Sequence, residues 1–224
     1  MTRRLTLEWP DPRPFRQRDG RPIRLLAASD EPDPTLDHAA NREALGELDL
    51  VVGCGDLGAD RLAFLGDAFR APLVYVRGNH DRGGAWRAAD RVPVPSLGID
   101  QQSLPGVTLL ALPWPGALEG PALRDEGAAW WQVLTAVPIE LALRSRRPWL
   151  VFSHAPPRGA GDSPDDAYHV GFAAYRTVVD RLRPRLWLHG HTSRAAAHDP
   201  IVERGPTTLV NVTGSFLVEL RPGP

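Results

Sequence analysis

The sequence predicts an α/β fold built on a mainly parallel sheet, and two observations carry that prediction. Short apolar runs alternate with stretches of helical character along most of the chain; strands separated by helices pair in parallel. Each run also ends in a polar cluster, and open parallel sheets gather their ligand sites just beyond the carboxyl ends of the strands.

Residues 1–22 are rich in proline and arginine and have little periodicity, so they are expected to form a mobile arm or an edge extension to a domain at 23–224. From Ile23 the pattern is regular. Ile23–Ala28 leads into Ser29 and Asp30, Leu50–Gly53 into Cys54, Gly55 and Asp56, and Leu73–Val76 into Arg77, Gly78, Asn79, His80 and Asp81. Helices are expected over Thr35–Leu48 and Ala59–Phe69. In the second half, Val107–Leu112 is a strand closed by Pro113, Trp114 and Pro115. Helical character spans Pro121–Arg146, with a break expected at Pro138. Trp130 and Trp131 are expected to pack that helix, ahead of a second reading in which they line a nucleobase pocket. Trp149–Phe152 ends in Ser153 and His154, a helix is expected near Gly171–Leu182, and Leu186–Leu188 runs into His189, Gly190 and His191. Thr207–Val212 and Phe216–Leu220 are expected to close the chain as a hairpin.

At 224 residues, with no repeat or linker, a single domain with a sizeable core is expected. The near balance of 26 basic and 27 acidic side chains gives no global field for nucleic acid or membrane. Every basic residue is arginine, which excludes lysine chemistry. A lone Cys54 fits a reducing compartment, where it would act as a small buried hydrophobe. The start of the chain reads as neither signal peptide nor anchor, so a cytoplasmic location is expected.

The chemistry lies in repetition. Five successive strand ends deliver a metal-type ligand: Asp30, Asp56, Asn79, His154 and His191. Asp30 alone would read as a turn or helix-capping residue; with four partners it reads as a ligand. Carboxylates, imidazoles and an amide oxygen suit divalent Mn, Fe, Zn or Ni, and a carboxylate such as Asp56 can bridge two ions. Glycines beside the ligands (Gly55, Gly78, Gly190) allow sharp turns and close approach. His38 and His198 are expected at the surface, His189 in a buried supporting position.

From Ile23 to its end the chain resembles the calcineurin-like metallophosphoesterases, whose pattern is Asp-x-His, Gly-Asp, Gly-Asn-His-Asp or Glu, a lone His, then Gly-His-x-His. This chain supplies Asp30, Gly55-Asp56, Gly78-Asn79-His80-Asp81, Ser153-His154 and Gly190-His191 in that order. Gly66-Asp67 and Gly161-Asp162 are chance matches. Further similarity at His154-Ala155-Pro156-Pro157, Asp162, His169-Val170-Gly171 and Pro184-Arg185-Leu186 resembles the branch of bacterial phosphoesterases and animal metallophosphoesterase-domain proteins. The resemblance implies a four-layer α/β/β/α sandwich of two mixed sheets. It also implies hydrolysis of a phosphodiester, or of a phosphomonoester, by metal-activated water, with manganese among the candidate ions and a nucleotide or other small phosphate ester as substrate. In that scheme His80 protonates the leaving oxygen or stabilises the charge there, Asp81 orients His80, and Arg77 contacts a phosphate oxygen, with a solvated surface arginine as its alternative. His169 is a candidate for substrate contact, with capping of the following helix as its alternative.

Two positions depart from the pattern. Pro32 stands where the family has the His of Asp-x-His, and Ser193 where it has the last His. The resemblance assigns both histidines to one ion, so it implies one intact site (Asp56, Asn79, His154, His191) beside a reduced one, with one or two ions in all. Glu31, Asp33 and His38 are possible replacements. The alternative from another class is a catalytically degenerate fold that acts as a protein-binding module. Substrate choice would rest with loops such as 82–105 and 113–147, and monomer and homodimer both stay open.

Overall fold

The computed structural model describes residues 2–16, 18–87, 92–95, 104, 106–118, 123–144, 148–193 and 199–223. Its strands are β1 (Arg3–Trp9), β2 (Ile23–Ser29), β3 (Leu50–Cys54), β4 (Leu73–Val76), β5 (Thr108–Leu112), β6 (Trp149–Ser153), β7 (Leu186–His189), β8 (Ile201–Arg204), β9 (Thr207–Asn211) and β10 (Gly214–Pro222). The helices are α1 (Arg13–Arg16), α2 (Ala39–Leu45), α3 (Ala59–Phe69), α4 (Gly84–Arg87), α5 (Glu126–Arg144) and α6 (Ala173–Leu182), with a 3₁₀ turn at Pro34–Asp37.

Two five-stranded mixed sheets form, in the orders β1-β10-β2-β3-β4 and β5-β6-β7-β9-β8. The central strands are buried on both faces, which is why they read as continuous apolar runs rather than alternating ones. The period of two still sorts their side chains. Leu25, Ala27, Leu50, Val52, Val74 and Val76 meet Leu150, Phe152, Leu186 and Leu188 between the sheets. The intervening Leu26, Ala28, Val51 and Leu73 pack under Leu62 and Leu65 of α3 and Leu45 of α2. On the other side Val151, Trp149 and Trp187 pack under Ala129 and Val133 of α5 and Tyr175, Val178 and Val179 of α6. Three apolar interfaces separate four layers, helices outside and sheets within. Each fully buried side chain of this size contributes about 1.5–3 kcal/mol, so the layers set a firm frame for the loops at their rim.

One expectation resolves to its second alternative, the edge extension, and four change. Residues 3–9 form the edge strand β1, parallel to β10, with Trp9 fully buried. The expected closing hairpin does not form: β9 pairs with β7 and β8 in one sheet, while β10 lies between β1 and β2 in the other. Both strands are largely buried on two faces, so their sequence did not reveal that the chain changes sheets between Asn211 and Gly214. The hairpin is β8–β9, with Gly205 at φ 58° in its two-residue turn. The helix expected at Thr35–Leu48 divides at His38, and α5 runs through Pro138. Trp130 (36% exposed) and Trp131 (69% exposed) face outward, because α5 turns the smaller Ala129 and Val133 to the sheet. Cys54 is free and buried between the sheets. Among the described residues no helix is long and apolar enough to cross a membrane.

Candidate metal centre

The carboxyl ends of β2, β3 and β4 meet those of β5, β6 and β7 at one rim, stitched by backbone bonds from Asp30 N to Gly55 O, Gly190 N to His154 O and Trp114 N to Arg77 O. Asp30 follows β2 directly and His154 follows β6; Asp56, Asn79 and His191 lie two or three residues past β3, β4 and β7. Three of them hold left-handed backbone: Asp30 (φ 56°), Asp56 (φ 56°) and His191 (φ 67°). Non-glycine residues carry a steric cost there, and here the cost turns their side chains into the rim. Gly78 and Gly190 permit the approach. A Cβ on Gly78 would strike Asp56 Oδ1, and one on Gly190 would strike Asp30 Oδ2.

His154, fully buried, is the focus. Its Nδ1 lies 2.9 Å from the Cys54 carbonyl, which can only accept, so Nδ1 carries a proton. Its Nε2 faces Asn79 Oδ1 at 2.8 Å, His191 Nδ1 at 3.1 Å and Asp56 Oδ2 at 3.3 Å. His191 Nε2 donates to the Tyr168 carbonyl at 2.8 Å, which leaves its Nδ1 bare. One point is therefore ringed by an amide oxygen, a carboxylate oxygen and a bare imidazole nitrogen. Such a point attracts positive charge. Burial works against a charged His154, but the Asp56 hydrogen bond and the charges of Asp30 and Asp56 outweigh it and lift the imidazole to about 9. Burial, with His154 beside it, pushes His191 down to about 3. Burial would raise Asp56, yet its contact with His154 holds it below the usual carboxylate range. The donor set fits a divalent transition ion, whose binding would displace the proton on His154 Nε2. Oxygens of Asp30 and Asp56 and a nitrogen of His154 also lie within 4.8 Å of one another.

Asp81 does not face His80. Its carboxylate accepts the backbone N–H groups of Asp56 (2.6 Å), Gly78 (2.9 Å) and Gly58 (3.1 Å), tying the loop after β3 to the loop after β4. Buried backbone donors need partners, and this carboxylate is the one within reach. His80 is exposed at the tip of the turn, fixed through its backbone N–H to Asp56 Oδ1 at 2.8 Å. Arg77 donates Nε to the Asp81 carbonyl at 2.9 Å and lies over the Trp86 ring, so two of its contacts brace this turn. His169 does not cap α6, whose N-cap is Phe172. It donates Nδ1 to Asp166 at 2.5 Å and sets its ring 5.0 Å from that of His191. His189 is buried and pushed down to about 4 by that burial. His38 is exposed; His198 and much of the 82–105 loop lie outside the described residues.

Trp114, which the sequence presented only as the close of β5, is the residue that pattern reading missed. Its ring lies 5.0 Å from that of His191 and 6.0 Å from that of His154, and it is 5% exposed. It is the floor beneath the two imidazoles. The available signal was its place at a sixth strand end, in register with the five ligands.

The calcineurin-like phosphoesterase family model matches residues 35–194, and the chain belongs to that family. No curated protein matches it closely in sequence. Solved structures share its fold at low identity. TT1561 of Thermus thermophilus is 16% identical over 86% of this chain and 90% of its own, with a TM-score of 0.57. A dimetal phosphatase from Danio rerio is 12% identical over 86% of this chain and 87% of its own, with a TM-score of 0.54.

Proposed function

We propose that the protein is a metal-dependent phosphoric ester hydrolase acting on a small phosphate ester or nucleotide, a phosphodiester before a phosphomonoester. The observation that carries this reading is the convergence of Asp56, Asn79 and His191 on His154 Nε2, at the rim shared by both sheets. Asp56, Asn79, His154 and His191 would hold a divalent ion, which when bound supplies Lewis-acid polarisation of a phosphoryl oxygen and acidifies water.

The chain's own residues do the rest. Trp114 closes the site from below and keeps water from behind His154 and His191. His80, exposed beside Asp56, gives its proton to the leaving oxygen. Asp81 acts through position, because its three backbone bonds fix the turn that carries Asn79 and His80. His169, its ring tilted against that of His191 and oriented by Asp166, offers a contact to a phosphate oxygen.

The test is hydrolysis of bis(para-nitrophenyl) phosphate and para-nitrophenyl phosphate with added Mn²⁺, beside an Asp56→Ala control. Activity lost in the control supports an esterase. Rates equal to the control with every ion tried would instead leave the fold as a binding module.

A further inference from the structure

Several polar groups on the Asp30 side of the rim are spent on one another, though the buried Ser29 hydroxyl is not among them. Asp30 Oδ2 accepts the His191 backbone N–H at 2.9 Å and lies 3.4 Å from the Thr213 hydroxyl. That hydroxyl is 3.0 Å from the Thr192 carbonyl, which also accepts Asn211 Nδ2 at 2.8 Å. Thr192 Oγ1 donates to Gly161 O at 3.1 Å, and Asn211 Oδ1 accepts Thr213 N at 2.9 Å. Glu31 is exposed, and Asp33 is turned away: it caps Thr35 and accepts the Ser215 hydroxyl. Pro32 offers no side-chain donor, and Ser193 offers a neutral hydroxyl. An ion beside Asp30 would find Asp56 and His154 within 4.8 Å, both of them shared with the Asn79–His191 group, so the described residues do not supply the three separate donors that each of two catalytic ions would take.

The Danio rerio structure of the same fold is described as a dimetal phosphatase; the described residues of this rim supply donors for one ion. We propose that the centre works with a single divalent ion on Asp56, Asn79, His154 and His191, and that its limited charge selects singly charged phosphodiesters over doubly charged monoesters. Asp30 is then a positioning residue, holding the backbone of His191 rather than a second ion. The selectivity follows from charge balance. One doubly charged ion is matched by Asp30 and Asp56, which leaves little surplus for a phosphomonoester of nearly two negative charges. The inference rests on the esterase reading above and deepens it.

The experiment counts Mn²⁺ per folded chain by elemental analysis after equilibration and desalting, for the unmodified protein and for Pro32→His/Ser193→His, both at exposed positions. About one ion in the unmodified protein and about two in the double variant are expected, with the diester-to-monoester ratio of kcat/KM falling about tenfold as the second ion enters. About two ions in the unmodified protein would overturn the single-ion centre and leave the esterase reading standing. No bound ion would overturn both. A second ion gained with an unchanged ratio would overturn the charge selectivity.

Discussion

The two halves of the rim carry similar residues and do different things with them. Around His154, an amide oxygen, a carboxylate oxygen and a bare imidazole nitrogen converge on one nitrogen. Around Asp30, a carboxylate, two threonines and an asparagine bond to each other and to backbone. The lesson is that polar residues make a site only where their lone pairs are left unmatched. The His154 half keeps an unpaid electrostatic demand; the Asp30 half has met most of its own.

That contrast can be broken most severely at its centre. His154→Ala should remove metal retention and lower kcat/KM by at least about 10²–10³-fold, the scale of losing a principal electrostatic contact, as measured by elemental analysis and diester hydrolysis. Trp114→Ala tests the support beneath the imidazoles. It should cost about 3–5 kcal/mol of stability, read from urea unfolding, and should weaken Mn²⁺ binding besides.

A pH series sharpens the contrast in the metal-free chain. His154 has its pKa raised from 6.5 to about 9, so the stability it adds is fully present below pH 6.5 and lost as pH rises through about 9. His189 is lowered to about 4, so its contribution is present above pH 6.5 and lost as pH falls through about 4. The chain stripped with a chelator should therefore be most stable near pH 6.5. It should lose roughly 3 kcal/mol by pH 10, at ~1.36 kcal/mol per unit, and added Mn²⁺ should restore that loss. Unfolding midpoints across pH check both arms.

Asp30→Asn should act more mildly, with a 10- to 100-fold weaker Mn²⁺ affinity but no fall in ion count at saturation, the usual cost of losing a supporting contact. Titration followed by elemental analysis reads both. His169→Ala is expected to have the smallest effect, a several-fold rise in KM with Mn²⁺ retention unchanged, read from diester kinetics. A loss of the ion itself would move His169 from the substrate to the support of His191.

Much of this site was legible because strand ends are legible. An apolar run that stops at a polar residue marks a carboxyl edge, and five such stops placed Asp30, Asp56, Asn79, His154 and His191 at a common rim. Direction was not legible. Asp81 follows His80 in the chain, yet its carboxylate turns to three backbone N–H groups that no pattern advertises. Trp114 was hidden because a tryptophan between prolines reads as a stop. β1 was hidden too, since arginines and prolines obscured the alternation of Leu5, Leu7 and Trp9. β10 was misplaced because a strand largely buried on both faces carries no mark of which sheet it joins.

The pairing of β1 with β10 has a consequence for how the molecule is made. Arg3 lies opposite Phe216 and Trp9 opposite Pro222, so β1 finds this neighbour only once β10 has emerged from the ribosome. Long-range pairings of this kind form late and slowly. Until β10 is made, the edge of β1 and the side chain of Trp9 have no place to go, and the sheet cannot be completed from β1 onward.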